Sequence, residues 1–184
     1  MIRCFIAIDL PGSLKKKIGE IQAKLKGSGA DVKWVKPDNI HLTLKFLGEI
    51  TPEKVEEVKA SLDGISVKKM EISARNVGAF PSLKRPRVIW VGIEKGLEKL
   101  KDFSNIIEKE MQKIGFEKEK RSFKPHLTIG RVKSQRNIGN LVKEIGLIEE
   151  FETEPFIPEE FILMRSDLKP SGAEYTPIKK YRLI

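Results

Sequence analysis

The chain has 184 residues, 40% hydrophobic and 33% charged, with a formal net charge of +9. That size and balance describe a soluble protein with a real core, either one ordinary domain or two small packed lobes. No apolar run approaches the roughly 20 residues needed to span a bilayer, and Cys4 as the sole cysteine excludes an intrachain disulfide and Cys-based metal clusters.

Residues 2–9 read as a largely buried strand rather than a signal peptide, because Asp9 and the following Pro-Gly interrupt the apolar stretch. Cys4 packs within that strand in this reading and is not a nucleophile. Ser13 is the expected N-cap of a helix whose Leu14, Ile18, Ile21 and Leu25 share one face, ending near Gly27. A short strand near 32–35, where Trp34 is expected to pack, precedes an alternating strand over 40–47. Thr51 as N-cap and Pro52 at the first helical position open a second helix, with Val55, Val58 and Leu62 inward. Strands are predicted over 67–77 and 87–93, and Leu97 through Ile114 mark a long helix stopping at Gly115. A strand over 124–131, a short helix near 138–148 and strands near 156–164 and 173–183 complete the order. No Gly-rich nucleotide turn, long linker or low-complexity block occurs.

The two histidines of the chain lie in matching contexts, Ile40-His41-Leu42-Thr43-Leu44 and Pro125-His126-Leu127-Thr128-Ile129. With five threonines in all, finding one two residues after each histidine by accident has odds of roughly one in a thousand. In a strand, residues i and i+2 share a face, so each segment presents an imidazole beside a hydroxyl while Leu42, Leu44, Leu127 and Ile129 face a core. Imidazole is suited to give and take protons near neutrality. Phosphodiester cleavage needs a base on the incoming oxygen and an acid on the departing one, and threonine hydroxyls suit the non-bridging oxygens. His41 and His126 are therefore the candidate catalytic pair, with Thr43 and Thr128 as phosphate contacts. With few His and Cys residues and no acidic cluster, no metal and no cofactor are expected. The competing reading, two amphipathic strands with structurally satisfied histidines, suits one such motif better than a matched pair.

These residues carry a resemblance. The paired His41-Leu-Thr-Leu and His126-Leu-Thr-Ile resemble the H-x-T-x motifs of the 2H phosphoesterase superfamily. Their flanks, Arg3-Cys-Phe-Ile-Ala-Ile-Asp-Leu-Pro, Asn39-Ile-His41-Leu-Thr-Leu-Lys-Phe-Leu-Gly48, Phe123-Lys-Pro-His126-Leu-Thr-Ile-Gly-Arg131 and Gly172-Ala-Glu-Tyr175-Thr-Pro-Ile, look like its RNA 2',3'-cyclic phosphodiesterase or 2'-5' RNA ligase branch. The resemblance covers essentially the whole chain. It implies an α+β fold over residues 1–184, one domain of two interleaved lobes. Two antiparallel sheets would face a central cleft, with helices outside and one motif per lobe. It also implies hydrolysis of a terminal 2',3'-cyclic phosphate to a 2'-phosphate, and reversible, ATP-independent 2'-5' joining of RNA ends. RNA with cyclic phosphate ends, tRNA halves among them, is the expected partner of a cytoplasmic, monomeric enzyme with no membrane contact. Hydrolysis ranks before ligation because water is always at hand. Sequence leaves the two proton-transfer roles open; the order preferred is His126 as base and His41 as acid.

Around the motifs, Arg131 is a candidate phosphate contact although strict alternation points it away from His126. Lys45 is expected on the His41 face, where it would add positive potential. Phe5, Phe46 and Tyr175 are candidates for stacking on a terminal base, with the core as the competing home of each phenylalanine. The stretch Lys84-Arg85-Pro86-Arg87 is either a solvated turn or a grip on RNA backbone. Non-catalytic RNA or nucleotide binding, and hydrolysis of small cyclic nucleotides, are the alternative functions. The net charge favours a polyanion, although the abundance of Lys and Glu also fits adaptation to heat.

Overall fold

The predicted order of elements is the order found. A computed structural model describes residues 1–148, 151–170 and 172–184. It runs β1 (Ile2–Asp9), α1 (Gly12–Lys26), β2 (Val32–Trp34), a single 3-10 turn at Pro37–Asn39, β3 (His41–Ile50), α2 (Pro52–Asp63), β4 (Ala74–Phe80) and β5 (Val88–Ile93). It continues through α3 (Leu97–Lys113), β6 (His126–Val132), α4 (Ile138–Leu147), β7 (Glu160–Lys169) and β8 (Gly172–Arg182).

The eight strands follow the order β4-β5-β6-β3-β1-β7-β8, with β2 beside β6, and the pairings are antiparallel. β3 and β6 share the single pair Leu42–Leu127. There the sheet divides into two lobes, β1, β3, β7 and β8 in one and β2, β4, β5 and β6 in the other. Both pairing leucines are fully buried, so this joint is an apolar one. Behind it one continuous core unites Ile6, Ile8, Leu42, Leu127 and Ile129 with Leu14 and Ile18 of α1, Val58 of α2 and Phe103 and Ile107 of α3. Each such side chain contributes about 1.5–3 kcal/mol by leaving water. The helices thus cover one face of the strands and leave the other, which carries both motifs, to the cleft. No helix among the described residues is long and apolar enough to cross a membrane.

Thr51 caps α2 as expected, its hydroxyl accepting from the Lys54 amide at 3.2 Å, with Pro52 in the first turn. α3 ends on a left-handed glycine at Gly115, where the Phe116 amide returns to the Met111 carbonyl. Two local expectations need correction. Ser13 does not cap α1; the helix starts at Gly12, two residues earlier than such a cap would set, and the Leu14 and Lys15 amides bond to the Pro11 carbonyl. The strand expected over 67–77 begins only at Ala74. The preceding residues run alongside other segments through single contacts, such as Ile72 with Phe156 and Lys69 with the Ile184 carbonyl, which form no ladder.

Candidate active site

Each motif strand carries its histidine on the first residue, His41 just past the 3-10 turn at Pro37–Asn39 and His126 just past the irregular segment 122–125. His41 Nδ1–H donates to the Asn39 carbonyl at 2.8 Å, and His126 Nδ1–H donates to the Lys124 carbonyl at 2.6 Å. A carbonyl only accepts, so Nδ1 carries the proton in both rings and Nε2 is left as the reacting nitrogen. Continuing the antiparallel register by one residue either side of Leu42–Leu127 sets His41 opposite Thr128 and His126 opposite Thr43. The four motif side chains thus alternate around one point on the cleft face, the arrangement that the spacing predicted.

The rings are held by different neighbours. His41 stacks on Phe5 at 4.6 Å between centroids, and Tyr175 meets both rings edge-on at 5.0 and 5.1 Å. His126 receives the edge of Phe80 at 5.0 Å, and Phe80 in turn packs on Trp90 at 5.2 Å. Trp90 lies flat over its neighbour strand because Gly78 has no side chain; a Cβ there would sit 2.4 Å from the indole.

Burial pushes both imidazoles below their ordinary value. At His41 the Asn39 carbonyl and the Asp9 carboxylate push back, while the Lys15 ammonium adds to the depression. At His126 the Lys124 carbonyl pushes back and the Arg131 guanidinium adds to the depression. Asp9, which pairs in register with His41 and binds Lys15 at 2.7 Å, was not singled out from sequence. Its signal was there: a carboxylate closing an otherwise apolar strand.

Two irregularities shape the rest of the site. The β1–β3 register slips between Ile6 and Ala7, and the β5–β6 register slips between Ile89 and Trp90. The extra residues fall at Leu44 in β3 and at Ile129 in β6, the same place in each motif. A bulge shifts the alternation by one residue, so Phe46 and Arg131, each five residues after its histidine, turn onto the cleft face. Arg131 therefore does reach the site, and its charge acts on Tyr175 of the other lobe as well as on His126. The same slip corrects the placement of Lys45. It turns away from His41 into the helix layer, where its ammonium binds Glu108 of α3 at 2.7 Å.

At both bulges a helix side chain reaches the carbonyl of the extra residue, and that of Ile129 also accepts from the Val35 amide at 3.0 Å. Ser104 of α3 donates to the Leu44 carbonyl at 3.3 Å, and Gln22 of α1 donates to the Ile129 carbonyl at 2.8 Å. Both helix side chains are buried, as polar groups rarely are without such a purpose.

Among the stacking candidates, Phe46 is 65% exposed, not in the core. Phe5 is 3% exposed and already faces His41, whereas Tyr175 is half-buried beside both. Cys4 and Trp34 pack in the interior layer as read from sequence. Beside His41 opens a cavity of ≈ 230 Å³ lined in part by Asp9, Asp38, Asn39, Ile162, Met164 and Tyr175. No three metal-ligating side chains come together among the described residues.

Relatives share this arrangement of chain. The LigT-like phosphoesterase family matches residues 8–90 and again 91–175. The RNA 2',3'-cyclic phosphodiesterase of Methanothermobacter thermautotrophicus is 38% identical across 99% of both chains. That of Archaeoglobus fulgidus is 34% identical across 98% of this chain and 99% of its own. Escherichia coli LigT, solved with 3'-AMP, superposes with a TM-score of 0.81 at 26% identity, covering 99% of this chain and 98% of its own. With both halves of the chain and both motifs accounted for, this protein belongs to the LigT-like phosphoesterase family of the 2H superfamily.

Proposed function

We propose that the chain, acting as one domain of two interleaved lobes, is an RNA 2',3'-cyclic phosphodiesterase. The observation that carries this reading is the pairing of Leu42 with Leu127, which brings His41, Thr43, His126 and Thr128 to one cleft face. Relatives bearing that name align end to end with this chain. His126 is the general base. Its neighbour Arg131 disfavours the imidazolium, so Nε2 stands neutral and takes a proton from water as the oxygen attacks phosphorus. His41 is the general acid, since Asp9 favours its charged form; its Nε2–H protonates O3' as the P–O3' bond breaks. The product ends in a 2'-phosphate, and solvent resets both rings. Thr43, Thr128 and Arg131 hold the non-bridging oxygens as charge builds on them. Phe46 and Tyr175 are the surfaces on which a terminal base stacks, while Phe5 backs the His41 ring. With an RNA 5'-hydroxyl in place of water, the same bonds give a 2'-5' linkage without ATP. The enzyme works as a cytoplasmic monomer on RNA ends such as tRNA halves.

The decisive test is incubation with an oligonucleotide ending in 2',3'-cyclic phosphate, with chelator and without ATP. A 2'-phosphate product is expected; recovery of intact substrate from a tight complex would leave only a binding protein.

The pH profile separates the two histidines. Both sit below the ordinary value of 6.5, so the bell of kcat/KM should centre on its acid side. Its acid limb reports the base and its alkaline limb the acid. Asp9→Asn removes a carboxylate that raises His41 and leaves Lys15 to lower it further. The alkaline limb should then move to lower pH with the acid limb unmoved. A shift confined to the acid limb would exchange the roles assigned to His41 and His126.

A further inference from the structure

The cations of this chain are not spread evenly. On α2 both lysines are matched by carboxylates, Lys54 with Glu57 and Lys59 with Glu56, and on α3 Lys101 pairs with Glu98 and Lys113 with Glu110. The lobe that carries His126 is different. Residues 76–93 and 120–143 contain no Asp or Glu at all, yet include Lys84, Arg85, Arg87, Arg131, Lys133 and Arg136. None of these six has an ion-pair partner among the described residues.

Their placement forms a path. Along β6 the cleft face runs from His126 through Thr128 to Arg131, about 15 Å at the usual rise of a strand. Lys33 of β2 and Val88 of β5 flank Arg131 in register, one on each side. The loop carrying Lys84, Arg85 and Arg87 joins that row. It starts at Phe80, which touches His126, and the Val132 amide bonds to the Arg87 carbonyl at 2.9 Å. The opposite exit, beside His41, is unsuited to phosphates. Asp9 and Asp38 line it, its lysine Lys180 is already bound to Glu160, and Lys15 nearby is bound to Asp9.

From this asymmetry we infer that a single-stranded polynucleotide leaves the cleft over the His126 lobe, its phosphates following Arg131 and Lys33 to the loop at 84–87. The inference rests on the phosphodiesterase reading for the orientation of the strand end, but not for the existence of the path. Carboxylate-free rows of cations attract phosphate chains by releasing condensed counterions, about 0.7 of a unit of salt slope per phosphate on a single strand.

The test uses the triple variant Lys84→Ala, Arg85→Ala, Arg87→Ala, whose positions are exposed and away from both histidines. An unreactive fluorescent octaadenylate is titrated by anisotropy over a range of salt, and turnover of adenosine 2',3'-cyclic phosphate is measured in parallel. The octamer should bind about tenfold more weakly, with a salt slope smaller by about 2, while mononucleotide turnover stays within twofold. Unchanged octamer binding would overturn the path. So would a parallel fall in mononucleotide turnover, which would put the loop in the reaction centre. Equal binding of polyglutamate would mean an acidic protein as the occupant and would overturn it too. If the wild type turns over neither cyclic substrate, the phosphodiesterase reading fails, and octamer binding still decides the path.

Discussion

His126→Ala and His41→Ala should each lower kcat/KM on a 2',3'-cyclic phosphate end by at least about a hundredfold, the ordinary contribution of a positioned acid or base. The rings sit at a strand terminus, part-buried, so truncation trims an aromatic contact and leaves the Leu42–Leu127 joint untouched. Melting temperature should accordingly change little. The two losses differ in kind. A substrate with sulfur in place of O3' has a leaving group of thiol acidity, near 8.5 in its ordinary form, which departs without a proton. On that substrate the His41 variant should recover most of its rate, and the His126 variant should not. Wild-type rates in either variant, with the oxygen substrate, would remove acid–base catalysis by this pair from consideration.

Thr43→Val and Thr128→Val together form the second large effect. Valine keeps the branched shape and deletes the hydroxyl, so packing against the strand is preserved. If both hydroxyls donate to oxygens that gain charge only in the transition state, kcat should fall by more than about a hundred- to a thousandfold, which is the scale for loss of a single such donor. KM should move far less. A rise in KM at constant kcat would instead assign the threonines to substrate binding alone.

Much of this site was legible before any coordinates. Apolar spacing gave the first three helices their inward faces, and the two H-x-T segments declared their shared face through the period of a strand. Lys45 was misplaced because alternation was carried past the bulge, the same kind of irregularity that turns Phe46 and Arg131, both candidates from sequence, onto the cleft face. A trace of those bulges does exist in the sequence. The apolar side chains that pack on the core run Leu42, Leu44, Leu47 in one strand and Leu127, Ile129, Val132 in the other, a step of two followed by a step of three. Strict period two cannot produce that. What no pattern disclosed is which side chains reach the bulge carbonyls: Gln22 reaches Ile129 across 107 positions of chain, a contact that only the packed fold creates. Asp9 as the partner strand's contribution beside His41, and Phe80 as the prop of His126, were equally hidden, since both depend on which strands become neighbours.

The single joint at Leu42–Leu127 bears on how such a molecule arose. The family matches each half of the chain separately, which suggests an ancestral duplication, yet neither half owns a sheet. β1 and β3 from the first half lie with β7 and β8 from the second, and β2 and β4 from the first, with β5 across the boundary, lie with β6 from the second. Each lobe is built from both halves: His41 of the first half meets Tyr175 of the second, and His126 of the second meets Phe80 of the first. Losing either half would dismantle both lobes at once, which ties the integrity of the fold to the presence of both catalytic groups.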